Sequence, residues 1–303
     1  MGHSHHHDAA RNAAARPTAR ERTAVLPPGD VRAVGERRRG GRIKYTGRTA
    51  LVTGASSGIG AAFARELAAR GCTLVLVARR EDRLRALAHE LEGDHPIKAY
   101  AVPADLSRPQ AVAEVRAETD KLDLRVDMLV NNAGFATYGP FETIDPIRDR
   151  DQVMVNVAAA VALTHVYLPG MVERRDGAVI NISSAGAFQP MPYQAVYAAS
   201  KAFIQSFSEA LWAENRGRGV RVVACCPAAT DTEYFEVLGN EEEARFGAKR
   251  PPSGVVHAAL HALERNRLCV VVGLPWKLTA LVPRFLPRGT VARLSERTTR
   301  PKQ

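Results

Sequence analysis

The chain repeats a short apolar run, rich in β-branched residues, at regular intervals, and this pattern constrains its fold most. The first three runs begin at Thr49, Thr73 and Ile97, 24 residues apart, with one helix-length segment in each interval. Further runs begin at Val126, Gly177, Val220 and Leu268. Strands that alternate with helices and are apolar throughout indicate a parallel sheet covered on both faces. With right-handed crossovers, the sequence predicts a Rossmann-type, doubly wound α/β fold of about seven strands.

The length of 303 residues fits one domain of this type with a tail at each end. We expect the single domain over residues 45–275, with a small substrate lid at about residues 230–252. Residues 1–44, rich in Ala, Arg and Pro, are predicted to be a largely disordered basic extension.

The formal net charge of +10 is concentrated at the two ends of the chain. Residues 1–44 hold ten Lys and Arg against four Asp and Glu, and residues 277–303 hold seven against one. The remainder holds 25 basic and 27 acidic residues, so the domain itself has no basic excess. This distribution disfavours a nucleic-acid partner.

The chemistry of the cysteines and histidines indicates neither a disulfide framework nor a metal site. The four cysteines show no C-x-x-C pairing, which favours a reducing compartment. His257 and His261 are four residues apart but have no third ligand nearby, and His165 lies in an apolar helix where packing is its expected role. We predict no metal site.

No apolar run reaches the ~18 residues of a membrane span. The closest run, Val153 to Leu168, contains three polar residues. We therefore expect a cytoplasmic protein that does not cross the bilayer.

A glycine-rich turn follows the first predicted strand and opens a helix. The run TGASSGIG contains Gly54, Ser56, Ser57, Gly58, Ile59 and Gly60. Glycine lets backbone N–H groups approach a pyrophosphate, and the helix N-terminus adds partial positive charge. The spacing is G-x-x-x-G-x-G, and a tight loop with close helix packing would give the same pattern. Its position between strand and helix favours a dinucleotide-binding site.

The ends of the next two strands bear on the choice of cofactor. Arg79 and Arg80 follow the second strand, where a fold that prefers NAD would place an acidic residue for the ribose 2′-hydroxyl. Guanidinium groups suit a 2′-phosphate, so NADP(H) is favoured over NAD(H). Alternatively, the two arginines only begin a charged helix. Asp105, after the third strand, is expected to contact the adenine or to cap a helix that starts near Arg108.

A Ser, a Tyr and a Lys that could together carry out acid–base chemistry follow the fifth strand. Ser184 ends the strand, and Tyr197 and Lys201 lie four residues apart, which puts both on one helix face. A free phenol has a pKa near ~10, so acid–base chemistry at neutral pH requires a lower value. A neighbouring ammonium and the helix N-terminus both favour the phenolate.

Together these motifs resemble the short-chain dehydrogenase/reductase family over about residues 45–275. TGASSGIG, Asn131-Asn132-Ala133-Gly134, Asn156, Ser184 and Tyr197-x-x-x-Lys201 occur in the family's order. The resemblance implies that Tyr197 is the general acid/base, that Lys201 lowers its pKa and binds the nicotinamide ribose, and that Ser184 hydrogen-bonds the substrate oxygen.

The same resemblance assigns roles to other positions. Asn156 would hold the water of a proton relay, and Asn132 would support the central strand and contact the cofactor. Pro227 and Thr232 would border the nicotinamide, although Ala228 stands where the family usually has Gly, which removes some backbone freedom there. A homo-oligomer, dimer or tetramer, is also implied.

The resemblance implies hydride transfer between NADP(H) and a carbonyl or alcohol carbon. Residues expected to border the substrate are apolar or aromatic, which favours a small hydrophobic ketone, aldehyde or alcohol over a sugar. They are Phe135, Tyr138, Phe188, Met191 and Tyr193, with Tyr234, Phe235, Val237, Leu238 and Phe246 in the lid. The alternatives are a non-catalytic dinucleotide-binding regulator or scaffold and, among enzymes, a reductase of carrier-bound acyl groups.

The segment 276–303 is predicted to be a basic amphipathic tail. Its apolar residues recur at helical spacing: Leu278, Leu281, Val282, Phe285 and Leu286. Pro283 and Pro287 oppose one continuous helix and favour two short pieces. The stripe packs on the enzyme's own lid or on a second subunit, or else it attaches to anionic lipid as a peripheral membrane contact.

Overall fold

The computed structural model describes residues 1–2, 43–228, 230 and 251–301. Within these residues, seven parallel strands form one sheet in the order β3-β2-β1-β4-β5-β6-β7. The strands are β1 Thr49–Thr53, β2 Thr73–Ala78, β3 Ala99–Pro103, β4 Val126–Asn131, β5 Gly177–Ile182, β6 Val220–Pro227 and β7 Cys269–Val272. Each strand begins within two residues of the run predicted for it. The Rossmann-type fold and the number of strands are confirmed.

Helices cover both faces of the sheet. They are α1 Gly58–Ala69, α2 Glu81–Asp94, α3 Ala111–Lys121, α4 Pro146–Val153, α5 Ala159–Glu173, α6 Ala195–Glu214, α7 Pro252–Glu264, α8 Leu274–Leu281 and α9 Arg288–Thr299. Alternate residues of a strand point to opposite faces, so the sheet supplies two cores. In β1, Val52 packs with Phe63 and Leu67 of α1, whereas Leu51 faces the core that contains Leu163 of α5.

The central helical run, Pro146–Glu173, joins α4 and α5 through a π-helical turn, Met154–Ala158. With 28 residues and a mean hydropathy of 1.5 in its most apolar window, the run is long and apolar enough to cross a membrane. No segment of this kind was expected from the sequence. Its α5 part packs on the sheet, where Leu163, Tyr167 and Met171 are buried in a core cluster. In this fold one face of α5 therefore belongs to the core, and 33% of the apolar window is buried.

The chain order of the sheet reverses direction at β1. From β1 the chain proceeds outward through β2 to β3, and then returns to β4 on the other side of β1. The loops that leave the carboxyl ends of β1 and β4 therefore diverge, and a crevice forms between them. The candidate motifs that follow strands within the described residues lie along this edge.

The C-terminal segment folds as α8, a short 3-10 turn at Val282–Arg284, and α9. Two tyrosine hydroxyls hold α9 against loops of the domain. The hydroxyl of Tyr138 donates to the Thr299 carbonyl oxygen at 2.8 Å, and that of Tyr193 donates to Glu296 Oε1 at 3.3 Å. The C-terminal segment is thus part of the folded domain.

Candidate active site

The glycine turn after β1 leaves its backbone open toward the crevice. Gly54 has φ +65°, and a Cβ atom there would lie 2.8 Å from Asn132 Nδ2. A Cβ atom on Gly60 would overlap the Gly54 carbonyl oxygen. Only glycine fits both positions, because the turn and the start of α1 are in backbone contact.

The first turn of α1 is suited to hold an anion. Ser57 precedes the helix without capping it through its side chain. The first N–H groups of a helix have no partner within it and carry the positive end of the helix dipole. Gly58 and Ile59 line the adjoining cavity, so a pyrophosphate fits here without displacing a side chain.

The two arginines after β2 take different positions. The Arg80 guanidinium donates to Ser56 Oγ and Ser57 Oγ, both at 2.9 Å from Nη2. Arg79 is exposed, and both arginines line the cavity. A cluster of one guanidinium and two hydroxyls offers several donors to a phosphate group beside the glycine turn.

Asp105 closes a turn and does not cap a helix. Its Oδ1 accepts from the Ser107 N–H at 3.1 Å and from the Ser107 hydroxyl at 2.8 Å. The helix expected near Arg108 begins later, at Ala111, after Gln110. That expectation was wrong because the short side chain satisfies the nearer turn first. Asp105 lines the cavity, as a residue that contacts adenine would.

Asn132 joins the carboxyl ends of β1 and β4. Its Nδ2 donates to the carbonyl oxygen of Thr53 at 2.9 Å, and its backbone N–H donates to Thr53 Oγ1 at 2.9 Å. The residue lines the cavity beside Gly54. It therefore holds the glycine turn against the neighbouring strand, as expected for support of the central strand.

Lys201 and Tyr197 lie on one face of α6, with the ammonium 5.8 Å from the centre of the phenol ring. Lys201 is 5% exposed, and Nζ donates to the Ile182 carbonyl oxygen at 2.9 Å. Tyr197 is half-buried in the first turn of the helix, and both residues line the cavity. The phenol thus lies near two sources of positive potential, the ammonium and the helix N-terminus.

Burial lowers the pKa of Lys201 from 10.5 to about 8, because the protein interior disfavours its charged form. The nearby Cys226 partly opposes this shift. At neutral pH the side chain remains largely protonated, so it can stabilise a negative charge beside it.

Asn156 lies in the π-helical turn and is 2% exposed. Its Oδ1 accepts from the Phe135 N–H at 3.1 Å, and its Nδ2 donates to the Phe135 carbonyl oxygen and to Ser200 Oγ, both at 3.0 Å. A Cβ atom on Gly134 would lie 3.0 Å from Asn156 Oδ1 and 3.2 Å from Lys201 Nζ. Both N–H groups of the side-chain amide and one lone pair of Oδ1 therefore hold this loop close to Lys201.

Ser184 follows β5 and faces the same cavity. Its Oγ accepts from the Gly186 N–H at 3.1 Å, which leaves the hydroxyl proton for a ligand oxygen. Pro227, at the end of β6, also lines the cavity, and the Ala228 carbonyl oxygen after it accepts from the Thr230 hydroxyl at 2.9 Å. Thr232 and nearly all of the predicted lid lie outside the described residues.

One cavity of about 1130 Å³ joins these groups. It extends from the glycine turn, past Tyr197 and Ser184, to the C-terminal segment, and its wall there is mainly apolar. That wall contains Trp276, Leu278, Val282, Pro283, Leu286, Val291, Leu294, Ser295 and Thr298.

The sequence had identified Leu278, Val282 and Leu286 as one amphipathic stripe but had not assigned α9 to the site. A signal was present, since Val291, Leu294, Ser295 and Thr298 occupy positions i, i+3, i+4 and i+7 of one helix face. The sequence reasoning also missed Arg148 and Asp151, which α4 brings to the cavity wall.

Several sequence expectations about the surroundings need correction. Phe135 and Met191 line the cavity, but Tyr138, Phe188 and Tyr193 are not among its lining residues. Tyr138 and Tyr193 instead hold α9, as described above. His165 is exposed, not packed, because it lies on the face of α5 away from the sheet.

The described histidines and cysteines form no candidate metal centre of three or more ligands. His257 Nε2 lies 3.2 Å from Glu66 Oε2, in an exposed pair. Cys72, Cys225, Cys226 and Cys269 are free thiols.

A family comparison accounts for this arrangement. Residues 48–243 match the model of the short chain dehydrogenases, which is more than half of the chain. The chain belongs to the short-chain dehydrogenase family. Members of this family are oxidoreductases that bind NAD or NADP, in agreement with the glycine turn and the cavity beside it.

Curated relatives of this short-chain dehydrogenase carry diverse names. A hydroxysteroid dehydrogenase-like protein 1 from Gallus gallus is 38% identical over 187 residues, 61% of this chain and 56% of that protein. A human relative is 39% identical over 187 residues, which again are 61% of this chain and 56% of that protein. It is named inactive hydroxysteroid dehydrogenase-like protein 1. The chain therefore spans little more than half the length of these two relatives. A very-long-chain 3-oxoacyl-CoA reductase from Anas platyrhynchos is 32% identical over 263 residues, 84% of this chain and 80% of that protein.

Solved structures of the family superpose on the fold. A short-chain dehydrogenase from Sphingobium yanoikuyae in complex with NADPH gives a TM-score of 0.71 at 35% identity, and covers 78% of this chain and 93% of its own. A bulky-bulky ketone specific alcohol dehydrogenase from Comamonas testosteroni gives a TM-score of 0.68 at 30% identity. The match covers 78% of this chain and 92% of that protein.

Proposed function

We propose that this short-chain dehydrogenase interconverts a hydrophobic ketone or aldehyde and its alcohol, with NADP(H) as the preferred cofactor. The observation that carries the proposal is the juxtaposition of Tyr197, Lys201 and Ser184 in the one cavity that extends from the glycine turn to an apolar wall. A structural role alone does not require a phenol, an ammonium and a hydroxyl there.

Gly54, Gly58, Ile59 and Gly60 would hold the pyrophosphate, because the glycines let backbone N–H groups approach it and Gly54, Gly58 and Ile59 line the cavity. Lys201 would bind the nicotinamide ribose, since it donates one proton to Ile182 and has two others to offer. When bound, the nicotinamide supplies or accepts the hydride.

In the direction of reduction, Tyr197 donates its hydroxyl proton to the substrate oxygen, which becomes an alcohol as hydride reaches the carbon. Lys201 stabilises the resulting phenolate. Ser184 donates a hydrogen bond to the same oxygen and fixes its position. Proton return to Tyr197 would use a water held by Asn156 in the π-helical turn, where Oδ1 accepts one hydrogen bond, from the Phe135 N–H, and retains a second lone pair.

The preference for NADP(H) rests on the two arginines beside the glycine turn. Arg80 and its two serine partners form a cationic, donor-rich site, and the residues directly after β2 that line the cavity are arginines, not carboxylates that would accept from a ribose hydroxyl. The neighbour from Sphingobium yanoikuyae was solved with NADPH. Because cells keep NADPH reduced, carbonyl reduction is the proposed direction.

The apolar wall supports a hydrophobic substrate. The neighbour from Comamonas testosteroni is named for bulky ketones, which agrees with a cavity of this size. A second candidate is a reductase of carrier-bound acyl groups, favoured by the relative named very-long-chain 3-oxoacyl-CoA reductase. A third, a non-catalytic dinucleotide-binding regulator, is raised by the relatives named inactive, but this chain retains Tyr197 and Lys201.

We further propose a cytoplasmic homo-oligomer. The support is the composition of α5, whose face away from the sheet is mainly apolar apart from His165. Val161, Val166 and Leu168 retain part of their surface exposed, and Val153 before the helix is 43% exposed. An apolar helix face is normally buried, and a second subunit would cover this one.

NADPH oxidation, measured against steroid, fatty, aromatic and short-chain carbonyls and against a 3-oxoacyl thioester, tests the proposal. We expect turnover of a hydrophobic free carbonyl. Tyr197→Phe should reduce kcat by at least ~10²-fold with NADPH affinity retained, because only the acid is lost. Tyr100→Phe, in β3 and away from the cavity, is the matched control and should leave kcat unchanged.

Three outcomes separate the candidates. Turnover of thioesters without free ketones would replace the substrate class by carrier-bound acyl groups. Cofactor binding without turnover of any carbonyl would replace the enzyme by the regulator. Substantial turnover by Tyr197→Phe would reject the role of Tyr197.

A further inference from the structure

The rim of the substrate cavity exposes an unusual concentration of large apolar side chains. They all belong to α8, the turn after it, and α9: Leu278 (64% exposed), Leu281 (47%), Val282 (49%), Phe285 (77%), Leu286 (36%) and Leu294 (47%). We refer to these six residues as the C-terminal patch. Soluble proteins tolerate single exposed apolar residues, but a contiguous group marks an interaction surface.

Four residues of the patch also line the cavity. They are Leu278, Val282, Leu286 and Leu294. The same side chains thus face the interior of the site and the surroundings of the protein. The apolar surface of the cavity therefore continues onto the outer surface of the molecule at its mouth.

The outer face of α9 combines this patch with positive charge. Val291, Ser295 and Thr299 recur every four residues and are buried against the domain. Arg293 and Arg297 lie on the opposite, exposed face, and Arg288 is exposed at the start of the helix. Leu294 lies at the edge of the buried stripe, where it lines the cavity and is also partly exposed. Residues 277–303 hold seven basic residues and one acidic residue, Glu296. That one carboxylate pairs with Arg300 within the helix.

We infer that the C-terminal patch docks on the surface of an anionic phospholipid bilayer, with the mouth of the cavity toward the lipid. Exposed leucine and phenylalanine flanked by arginine are the two components that an interfacial helix needs, apolar burial and attraction to acidic headgroups. A second copy of this chain would cover the apolar residues equally well. It would, however, bring the exposed arginines of the two copies together, and their like charges would repel each other.

A consequence concerns the substrate, and this part rests on the proposed function. A hydrophobic ketone or aldehyde partitions into the bilayer and is scarce in water. With the patch in the interface, such a substrate reaches Tyr197 along a continuous apolar surface formed by Leu278, Val282 and Leu286. The enzyme would then draw its substrate from the membrane surface.

Vesicle sedimentation tests the docking without reference to activity. The full chain is mixed with vesicles of phosphatidylcholine alone or of phosphatidylcholine with phosphatidylserine, at low and at high salt. We expect pelleting with the anionic vesicles that weakens as salt rises, because exposed charges are screened beyond ~10 Å at 0.1 M salt.

The variants are chosen outside the cavity wall. Leu281→Gln with Phe285→Ser should weaken binding to anionic vesicles by about tenfold or more at either salt concentration. Arg293→Gln with Arg297→Gln should weaken it by about tenfold at low salt and less at high salt. Phe203→Ser, which removes an apolar residue 46% exposed on α6, is the matched control and should bind as the unmodified chain does.

Several results would overturn the inference. One is the absence of pelleting at low salt. Another is pelleting that the variants do not change, which would place the lipid contact elsewhere, for example in the basic residues 1–44. Concentration-dependent self-association that the Leu281→Gln and Phe285→Ser changes abolish, without lipid binding, would assign the patch to a second copy.

Substrate delivery is tested separately. A long-chain ketone presented in anionic vesicles is compared with a short, water-soluble ketone, both with NADPH. The patch variant should lose about tenfold in kcat/KM for the vesicle-borne ketone and nothing for the soluble one. An equal effect on both would reject delivery through the lipid. If neither ketone reacted, the proposed function would be rejected, while the sedimentation result would stand.

Discussion

At the scale of single residues, the burial of Lys201 has a measurable effect on stability. Its pKa is about 8 in the folded chain, against 10.5 for the exposed group in the unfolded chain. Below pH 8 both states are protonated and the cost of burying the charge is fully present. Between about pH 8 and 10.5 the unfolded chain binds more protons, so the free energy of unfolding rises with pH relative to a chain without this group.

Lys201→Met should therefore stabilise the cofactor-free protein at pH 7 by up to about 3 kcal/mol, the equivalent of the pKa difference. The gain should shrink as pH rises from about 8 to 10.5. Urea unfolding of both proteins across this range gives the comparison. A stability difference that does not depend on pH would show that the ammonium is not desolvated. Activity and NADPH affinity should fall, because the substitution removes the ribose contact and the charge beside Tyr197.

The arginines beside the glycine turn give a second prediction at this scale. Arg79→Asp should reverse the preference toward NADH, because it replaces a partner for phosphate by an acceptor for hydroxyl. Arg80→Gln should weaken NADPH binding by about tenfold or more and leave NADH binding nearly unchanged, since one charge-assisted hydrogen bond is lost. Fluorescence titration with both cofactors measures the ratio of their dissociation constants.

Arg85→Asp is the control for these variants. Arg85 lies one turn further along α2, pairs with Glu81 and has a side chain 73% exposed. It should leave the cofactor ratio unchanged. Equal affinity of the unmodified protein for the two cofactors would show that Arg79 and Arg80 are surface residues of α2 and nothing more.

Residue identities at the site could be predicted because each belongs to a motif of fixed spacing. Contacts that join distant parts of the chain could not. The Tyr138 hydroxyl and the Thr299 carbonyl oxygen are 161 residues apart, and no local pattern pairs them. Asp105 illustrates competition at short range. Its carboxylate accepts from the Ser107 N–H in a turn and does not cap the predicted helix.

At the scale of elements, the turn between β1 and α1 is fixed by steric exclusion. Gly60→Ala should destabilise the protein by about 1–3 kcal/mol and weaken cofactor binding about tenfold, because the added methyl group meets the rigid Gly54 carbonyl. Thermal unfolding and NADPH titration measure both effects.

Gly93→Ala provides the contrast. Gly93 lies in α2 with no atom within 4 Å of an added Cβ. The same substitution should there be neutral or stabilising by about 0.5–1 kcal/mol, because alanine restricts the unfolded chain. A loss of stability as large as that of Gly60→Ala would refute the steric explanation.

Strand positions could be predicted closely because the sheet is buried on both faces. A strand covered by helices on two sides reads as a nearly continuous apolar run, as β2 does, and every residue of β1, β4 and β5 is buried. Helix starts were harder to place. α3 begins three residues after the expected position, because the backbone between Asp105 and Ala111 is already satisfied by turns.

At the scale of the whole molecule, the doubly wound parallel sheet followed from the alternation of strands and helices, but the place of the C-terminal segment did not. An amphipathic stripe shows that a helix has an apolar face without showing what covers it. Here α8 and α9 lie across the substrate end of the cavity. Their inner residues complete a wall that the family's motifs do not describe.

A truncation after Gly273 tests the importance of that wall. It removes α8 and α9, and with them the apolar residues at the substrate end of the cavity. We expect KM for a bulky hydrophobic ketone to rise by about tenfold or more, which corresponds to the loss of roughly 55 Å² of apolar contact. For a short ketone that reaches only Tyr197 and Ser184, KM should change little, because these side chains belong to the rest of the domain.

Truncation after Arg300 is the matched control, since it keeps the Thr299 carbonyl oxygen that Tyr138 holds. Its kinetic constants should equal those of the full chain. Thermal unfolding of both truncated proteins, followed by circular dichroism, shows whether the sheet domain remains folded. Equal KM increases for bulky and short ketones would mean that α8 and α9 support the fold and do not select the substrate. A selective loss for bulky ketones, in a domain that still unfolds cooperatively, would identify the C-terminal segment as the part of the molecule that determines substrate size.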